Sequence, residues 1–588
     1  MASPHTPATR AGRIFAWACG AFLIVVAAGL AWIGVRGAMA YAHLDSARSQ
    51  ILTVAQSVDD GPVDASVIEA LGADLRSAHD LTSDPVWRAA EGLPWVGPQI
   101  SAVREVAAVG AELAASALGP ASELLSSFSL DSFLPENGQI DLKAIEMLHD
   151  AAVEAAPTLR SSEAALRTID ERPLIEPLRE QLTNLESQLN VAATLSETAI
   201  VLPSMLGADG PRTWLLLFQN NAELRSLGGM PGATAVITID EGRISLDDTG
   251  TASIPRFDAP VIQLGEERLA IFSDRPAVWF SGTTILPDFR QAAPAAREMW
   301  TQAHGVEVDG VVSLDPFALA YLLRATGPIT LPTGEDLTSE NVVDVLLSDV
   351  YFNYPDPAEQ NDVFASATAA IFGAFMEGSA DTAVLLDALT RAAEERRLLL
   401  WSRQDDEQAI FHHAAVDGAL PETDDNTARF GVYLNDGTGS KLGPYLEANV
   451  QVACGFGLTG RHDTSGASSL TIRLENTAPL DAATSLPPSI AGGNYGVPAG
   501  VLRVVTYIYL PEGATLSDAT AAPQPGFGSN SDGAYRVLTH QVDLSPGETA
   551  DISVVAELSG SSVTKAVAET TPAFWPSAVS SSCGGGAP

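Results

Sequence analysis

Between Gln219 and Arg225 the chain reads QNNAELR, which places two adjacent amides (Asn220, Asn221), a carboxylate (Glu223) and a guanidinium (Arg225) in one short stretch. These groups supply several donors and acceptors, and such concentrations at the end of a core strand commonly face a ligand. They also have a purely internal use. Asn220 and Asn221 would cap a short helix, Glu223 would pair with Arg225, and Gly228-Gly229 would let the backbone turn through positive φ. The residue types alone leave both uses open.

The elements around this stretch are those of a sheet. Trp214 to Phe218 is an unbroken apolar run, the pattern of a buried strand, and Ala233 to Asp240 alternates before a tight Glu241-Gly242 reversal into a third strand, Arg243 to Leu246. The spacing predicts two strands joined by a polar loop that carries Asn220, Asn221, Glu223 and Arg225. Downstream, Pro287-Asp288 opens a helix over Arg290 to Ala303, and Val308 to Leu314 is a strand. Asp315-Pro316 starts another helix, Gly327-Pro328 stops it, and Asn341 to Tyr351 is helical. Strands alternating with helices predict a mixed sheet covered by helices.

The chain has 588 residues, too many for one core, with 32 basic and 73 acidic side chains and a net charge of -41. Nucleic acid is excluded as a partner, because binding it relies on Lys and Arg neutralising phosphates. Ile14 to Val35 carries no charge and as a helix would span roughly 33 Å, enough for a hydrocarbon core. Arg10 and Arg13 precede it and no acidic residue occurs before Asp45, so the N-terminus is expected in the cytoplasm, the cytoplasmic membrane is crossed once, and the body is extracytoplasmic. Ala38-Met39-Ala40 fits a signal-peptidase site, but the apolar run is longer than a cleaved leader's and Arg36 intervenes, which favours an uncleaved anchor. On the exported side lie Cys454 and Cys583, which in an oxidising compartment suggest a disulfide tying the C-terminal tail to a β domain, with two free thiols as the alternative because spacing alone does not fix geometry.

From Tyr41 to about Leu206 apolar residues recur at helical spacing, with breakers at Gly61-Pro62, Leu93-Pro94-Trp95, Gly119-Pro120, Pro157 and Pro173, predicting a helical stalk or bundle. From Phe430 onward short alternating runs, Tyr445 to Cys454, Ser469 to Glu475, Val501 to Leu510, Tyr535 to Val542 and Ala550 to Leu558, predict a β-sandwich of Ig-like size. The fold class expected is thus α+β multidomain: cytoplasmic tail 1–13, transmembrane helix 14–35, helical stalk 36–206, α/β domain 207–428, and β-sandwich with C-terminal tail 429–588.

The QNNAELR stretch followed by Gly228-Gly229 and a strand resembles the motif of the single-pass bacterial envelope proteins grouped as domain of unknown function 4012, and Asn435 to Lys441, NDGTGSK, resembles a later junction of that family. The resemblance implies an envelope location and this architecture, without a known reaction. DFRQAAPAAREMW and HGVEVDGVVSLDPFALAYLLRATGPITL are, more distantly, similar in rhythm to the LytR-CpsA-Psr family, as is Ser253-Ile254-Pro255-Arg256. Those enzymes move glycopolymers from polyprenyl-pyrophosphate carriers to the cell wall with a divalent cation such as Mg2+. That resemblance implies Arg225 and Arg256 as phosphate ligands and Asp258 as a metal ligand or base, the three candidate catalytic residues. In this chain Phe257 separates Arg256 from Asp258. Where the family carries a later arginine-rich segment, Tyr351 to Val363 reads YFNYPDPAEQNDV, without an arginine, and a pyrophosphate site needs several cations.

Other apparent motifs lack their context. Gly455, Gly457 and Gly460 fit a dinucleotide fingerprint but lie among strands, Ser562 and Lys565 lack partners for acyl transfer, and His412-His413 lacks a third metal ligand at the right spacing. Arg391, Glu394, Glu395, Arg396 and Arg397 read as a solvated, salt-bridged helix face. The expected function is a membrane-anchored binding or scaffold component in surface glycopolymer assembly, with the metal-dependent phosphotransferase as the alternative.

Overall fold

The computed structural model describes residues 10–57, 64–125, 130–251, 253–331, 334–377, 380–424, 427–454, 467–558, 565–574 and 578–581. The Gly61-Pro62 breaker, the Gly455 to Gly460 fingerprint, Ser562 and Cys583 lie outside them. The chain forms a mixed α+β structure with a helical N-terminal region and several sheets, dividing into two compact units: residues 1–133 with 141–203, and residues 134–140 with 204–588.

The first unit is built from α1 (Arg10–Ser57), α2 (Ala65–Thr82), α3 (Pro85–Ala90), α4 (Gly97–Ser116), α5 (Leu118–Leu125), α6 (Leu142–Arg167) and α7 (Glu176–Met205). Asp64, Asp84 and Asp141 start three of these by accepting from backbone amides of the first turn. Leu182 and Leu189, two turns apart on α7, pack with Leu166, Val109 and Ala102 in one buried cluster. Pro157 does not break the chain as the sequence suggests; it sits inside α6. Helix α1 runs unbroken through the apolar stretch at 14–35, and among the described residues no helix is long and apolar enough to cross a membrane.

In the second unit, β1 (Arg212–Arg225), β2 (Gly228–Asp240) and β3 (Arg243–Thr251) are followed by α8 (Gly265–Phe272), α9 (Arg275–Val278), α10 (Phe289–His304), β4 (Gly310–Leu314) and α11 (Pro316–Thr326). Then come the two-residue strands β5 (Ile329–Thr330) and β6 (Asp336–Leu337), α12 (Val342–Asp344), a π-helical turn at Val345–Asp349, α13 (Val350–Asn353), α14 (Pro357–Met376), α15 (Thr382–Glu394), β7 (Leu398–Ser402) and α16 (Asp405–His413). The sheet order is β3-β2-β1-β4-β7, mixed as expected, with β1 and β4 its parallel pair. Because β1 is covered on both faces, its apolar run is continuous: Leu215 and Leu217 pack under α10 with Ala293, Ala296 and Met299, while Phe218 faces the cluster of α11, α14 and α15.

The remaining strands, β8 (Thr427–Asp436), β9 (Leu446–Cys454), β10 (Ala467–Asn476), β11 (Leu502–Tyr509), β12 (Thr515–Ala522), β13 (Gly528–Asp532), β14 (Tyr535–Leu544), β15 (Thr549–Glu557), β16 (Lys565–Thr570) and β17 (Ala578–Ser581), make two further five-stranded sheets, β12-β15-β10-β9-β17 and β13-β14-β11-β8-β16. Their alternate residues, such as Phe430 and Val432 of one sheet and Leu470 and Ile472 of the other, meet in one core. That core also takes in Ala222 and Leu224 of β1. The second unit is therefore joined through β1, whose first half belongs to the mixed sheet and whose last residues belong to the C-terminal core.

Candidate functional site

The stretch expected to be a polar loop is strand. β1 continues to Arg225 and turns at Ser226-Leu227 into β2, and the polar residues are accommodated by breaks in register between Phe218 and Gln219 and between Asn220 and Leu224. On the partner strand Asn220 faces Met230 and Leu224 faces Gly229, so Asn221, Ala222 and Glu223 bulge out of the ladder and aim away from it. Gly229 permits this: a Cβ there would run into the backbone of Asn220 and Asn221.

Every charged or amide side chain of the stretch is buried, and each has a partner in the protein. Gln219 donates to Ser313 Oγ at 2.7 Å and accepts from the Gly229 amide at 2.7 Å. Asn220 donates to the Tyr351 hydroxyl and accepts from the Ala222 amide at 3.1 Å. Burial pushes the Tyr351 phenol well above its usual range, so it stays neutral. Asn221 donates to Asp315 Oδ2 at 2.9 Å and to the Pro572 carbonyl at 3.0 Å.

Asp315 caps α11 with one oxygen, accepting from the Ala318 amide at 2.9 Å. Its other oxygen receives Arg397 Nη1 at 2.6 Å. Arg397 also donates to Glu395 at 2.9 Å and to the Ala573 carbonyl at 3.1 Å, and lies over the Phe317 ring. The reading of Arg391 to Arg397 as a solvated face holds for Arg391 and fails for Arg397, which is only 3% exposed. Helix α15 ends at Glu394 and Arg396 takes a positive φ of 57°, which turns the chain inward so that Arg397 enters the interior.

Arg225 is 4% exposed and pairs with Glu223 at 2.5 Å. It also donates to the carbonyls of Leu224 at 2.8 Å and Asp436 at 3.2 Å. Lys441 reaches the other Glu223 oxygen at 3.3 Å, so this one carboxylate neutralises two cations in part. The NDGTGSK junction folds against the same place. Asn435 accepts from the Ser226 amide at 3.0 Å and donates to Ser226 Oγ at 2.8 Å, and Asp436 gathers the amides of Thr438 (3.1 Å), Gly439 (2.5 Å) and Ser440 (3.2 Å). Burial pushes the Asp436 carboxyl above its usual value, against the downward pull of its hydrogen bonds to Thr438. Thr571 completes the joint, donating to the Ser226 carbonyl at 3.0 Å and accepting from the Leu434 amide at 2.9 Å.

The remaining candidates are elsewhere. Arg256 lies on the surface, its side chain 65% exposed and paired with Asp274 at 3.3 Å, and Asp258 is also exposed. Arg225 faces inward, so the two arginines do not share a cleft. A small cleft does open beside the motif, between β1, β2, α11, the π-helical turn and α14; Phe218, Leu319, Leu346 and Ile371 contribute its apolar walls, and Arg225, Arg256 and Asp258 do not line it. Of the polar side chains bordering it, Gln219, Asn220 and Asp315 are already engaged by Ser313, Tyr351 and Arg397, and Thr368 donates to the Phe364 carbonyl at 2.8 Å. Among the described residues no group of three or more His, Cys, Asp or Glu is arranged to hold a metal ion. His412 pairs with Asp417 at 3.0 Å. Cys454 is disulfide-bonded, and β17 runs beside β9 with Ser581 opposite Val452.

Tyr351, Asp315, Arg397 and the Thr571 to Ala573 segment are members of this buried network that the sequence does not bring together. Asp315 carried a signal as an N-cap, and the rest carried none. No curated protein matches the chain in sequence. The solved structure described as the transcriptional regulator yvhJ from Bacillus subtilis is similar at 13% identity and a TM-score of 0.19, over 35% of this chain and 76% of that one, a likeness too slight to carry an argument. Residues 209–351, which contain the buried motif and its partners Ser313, Asp315 and Tyr351, match the model described as "Protein of unknown function (DUF4012)". Residues 209–351 thus resemble the DUF4012 family of proteins of unknown function.

Proposed function

We propose that this is a membrane-anchored, extracytoplasmic protein of the bacterial cell envelope that acts as a binding or scaffold component in cell-surface glycopolymer assembly. In this reading the apolar segment at 14–35 is a single-pass anchor with its N-terminus in the cytoplasm, the C-terminal pair of sheets is an Ig-like sandwich, and Cys454 pairs with Cys583. The observation that supports a non-catalytic role is the pairing of Arg225 with Glu223 at 2.5 Å in the interior. Phosphoryl transfer needs cations aimed at the charge that develops on the reacting group. Here the motif's guanidinium is spent on a neighbouring carboxylate and two backbone carbonyls.

The test uses the full chain in lipid vesicles with a polyprenyl-pyrophosphate-linked oligosaccharide, Mg2+ and purified cell wall as the acceptor. We expect retention of purified cell-surface glycopolymer and no release of polyprenyl phosphate. Release that disappears on Arg256→Ala or Asp258→Ala would replace this reading with the transferase one.

A further inference from the structure

The end of the helical unit where α1 leaves its apolar stretch carries an exposed apolar tip. Three contacts fix that end. The Arg36 side chain donates to the carbonyls of Asp80 and Leu81 and pairs with Asp84 at 3.0 Å, the Trp32 indole donates to Asp84 at 3.0 Å, and Ile33 packs against the cluster of Trp87, Ala90 and Ile100. The start of α3 is therefore held against the turn of α1 that spans residues 32–36, where the charge-free run ends.

Two loops share this end. Between α3 and α4 the chain makes a tight turn, with the Val96 amide bonded to the Pro94 carbonyl at 2.7 Å and the Gly97 amide to the Leu93 carbonyl at 2.9 Å. Trp95 takes a φ of 63° in that turn, a left-handed conformation that points its ring away from the core. The α6–α7 loop is stapled beside it by Gln99, which donates to the Pro173 carbonyl at 2.7 Å and to the Trp95 carbonyl at 3.3 Å and accepts from the Ile175 amide at 3.1 Å. The result is Trp95 at 89% exposure, Ile175 at 60%, Val96 at 50% and Leu93 at 42% on neighbouring loops. Isolated exposed apolar residues need no explanation, but a strained turn that presents a nearly bare tryptophan next to three more apolar side chains does.

We propose that this tip, Leu93, Trp95, Val96 and Ile175, inserts into the interfacial layer of the lipid bilayer from which α1 emerges, and so fixes the orientation of the helical unit on the membrane. The proposal rests on the anchor reading above. Two features select a lipid surface as the occupant. The tip lies at the residues where the anchor would leave the hydrocarbon, and tryptophan favours the headgroup level.

The test places the full chain in vesicles of phosphatidylcholine and phosphatidylglycerol containing bromine-labelled acyl chains, which quench nearby tryptophans. Wild type is compared with Trp95→Phe and Trp32→Phe. We expect the lipid-quenchable part of the emission to fall in both variants. A fall in Trp32→Phe alone would overturn the docking and leave the anchor standing. No fall in either, with release of the protein by alkaline carbonate, would overturn the anchor and the docking with it. Absence of quenching at Trp95 together with cross-linking of position 95 between chains would assign the tip to a second copy instead.

Discussion

Asn221 and Pro572 lie 351 positions apart and are joined by a hydrogen bond of 3.0 Å, from the buried amide on β1 to a carbonyl near the C-terminus. The same amide holds Asp315 at 2.9 Å, so one side chain ties the mixed sheet, the cap of α11 and the C-terminal segment together. We expect Asn221→Ala to destabilise the second unit by about 2–4 kcal/mol, since one of the two lost bonds is to a charged acceptor and both former partners stay buried. Removing residues 571–588 takes away the Pro572 carbonyl, and the two changes together should cost less than their sum. Urea midpoints of the two single variants and the double variant measure the coupling, and strict additivity would refute the clasp.

What could be read from the sequence was local. Asp288 and Asp315 announced α10 and α11 as N-caps, Gly305 closed α10 in the left-handed conformation, and the run from Trp214 to Phe218 announced a strand buried on both faces. The polar segment after it read as a loop because a bulged strand and a loop have the same composition when the partners are not in view. Its acceptors are Ser313, Asp315, Tyr351 and Pro572, and no periodicity connects those positions. Arg397 was misplaced for the same reason, with its charge answered by Asp315 rather than by its helical neighbours alone. The strands β12 and β13 went unseen because TLSDATAA and GSNSD are exposed along most of their length and carry little apolar alternation.

Arg397 supplies a sharper test of the interior. Its side chain and that of Asp315 are each 2% exposed, so Arg397→Met strands a carboxylate in the core and should cost about 3–5 kcal/mol. Asp315→Asn keeps an N-cap acceptor for α11 and removes the stranded charge, so adding it to Arg397→Met should recover part of the loss. If the double variant is no more stable than Arg397→Met, measured by urea unfolding, the ion pair is not what the site depends on.

Arg225 and Arg256 should respond in opposite ways to removal. Arg225→Met breaks a buried pair with Glu223, to which Lys441 offers only partial compensation at 3.3 Å, and should lower stability by about 2–4 kcal/mol. Arg256→Ala removes an exposed pair and should stay within about 0.5 kcal/mol of wild type. A stable Arg225→Met protein that lacks the proposed glycopolymer retention, where wild type shows it, would give Arg225 a ligand-facing role and count against the internal one.

Tyr321 links this interior to alkaline pH. Burial first, and then its hydrogen bond to Glu395 at 2.6 Å, push the phenol up to about 12 from an ordinary value of 10.0. The folded protein therefore holds this proton more tightly than the unfolded chain does. The resulting stabilisation is complete below pH 10.0 and is lost as pH rises through about 12. Tyr321→Phe removes the ionisable group, so its urea midpoint should fall less steeply than that of wild type over this range, though from a lower start because Glu395 loses a donor. Parallel curves for the two proteins would show that the phenol ionises no later in the folded state than in the unfolded one.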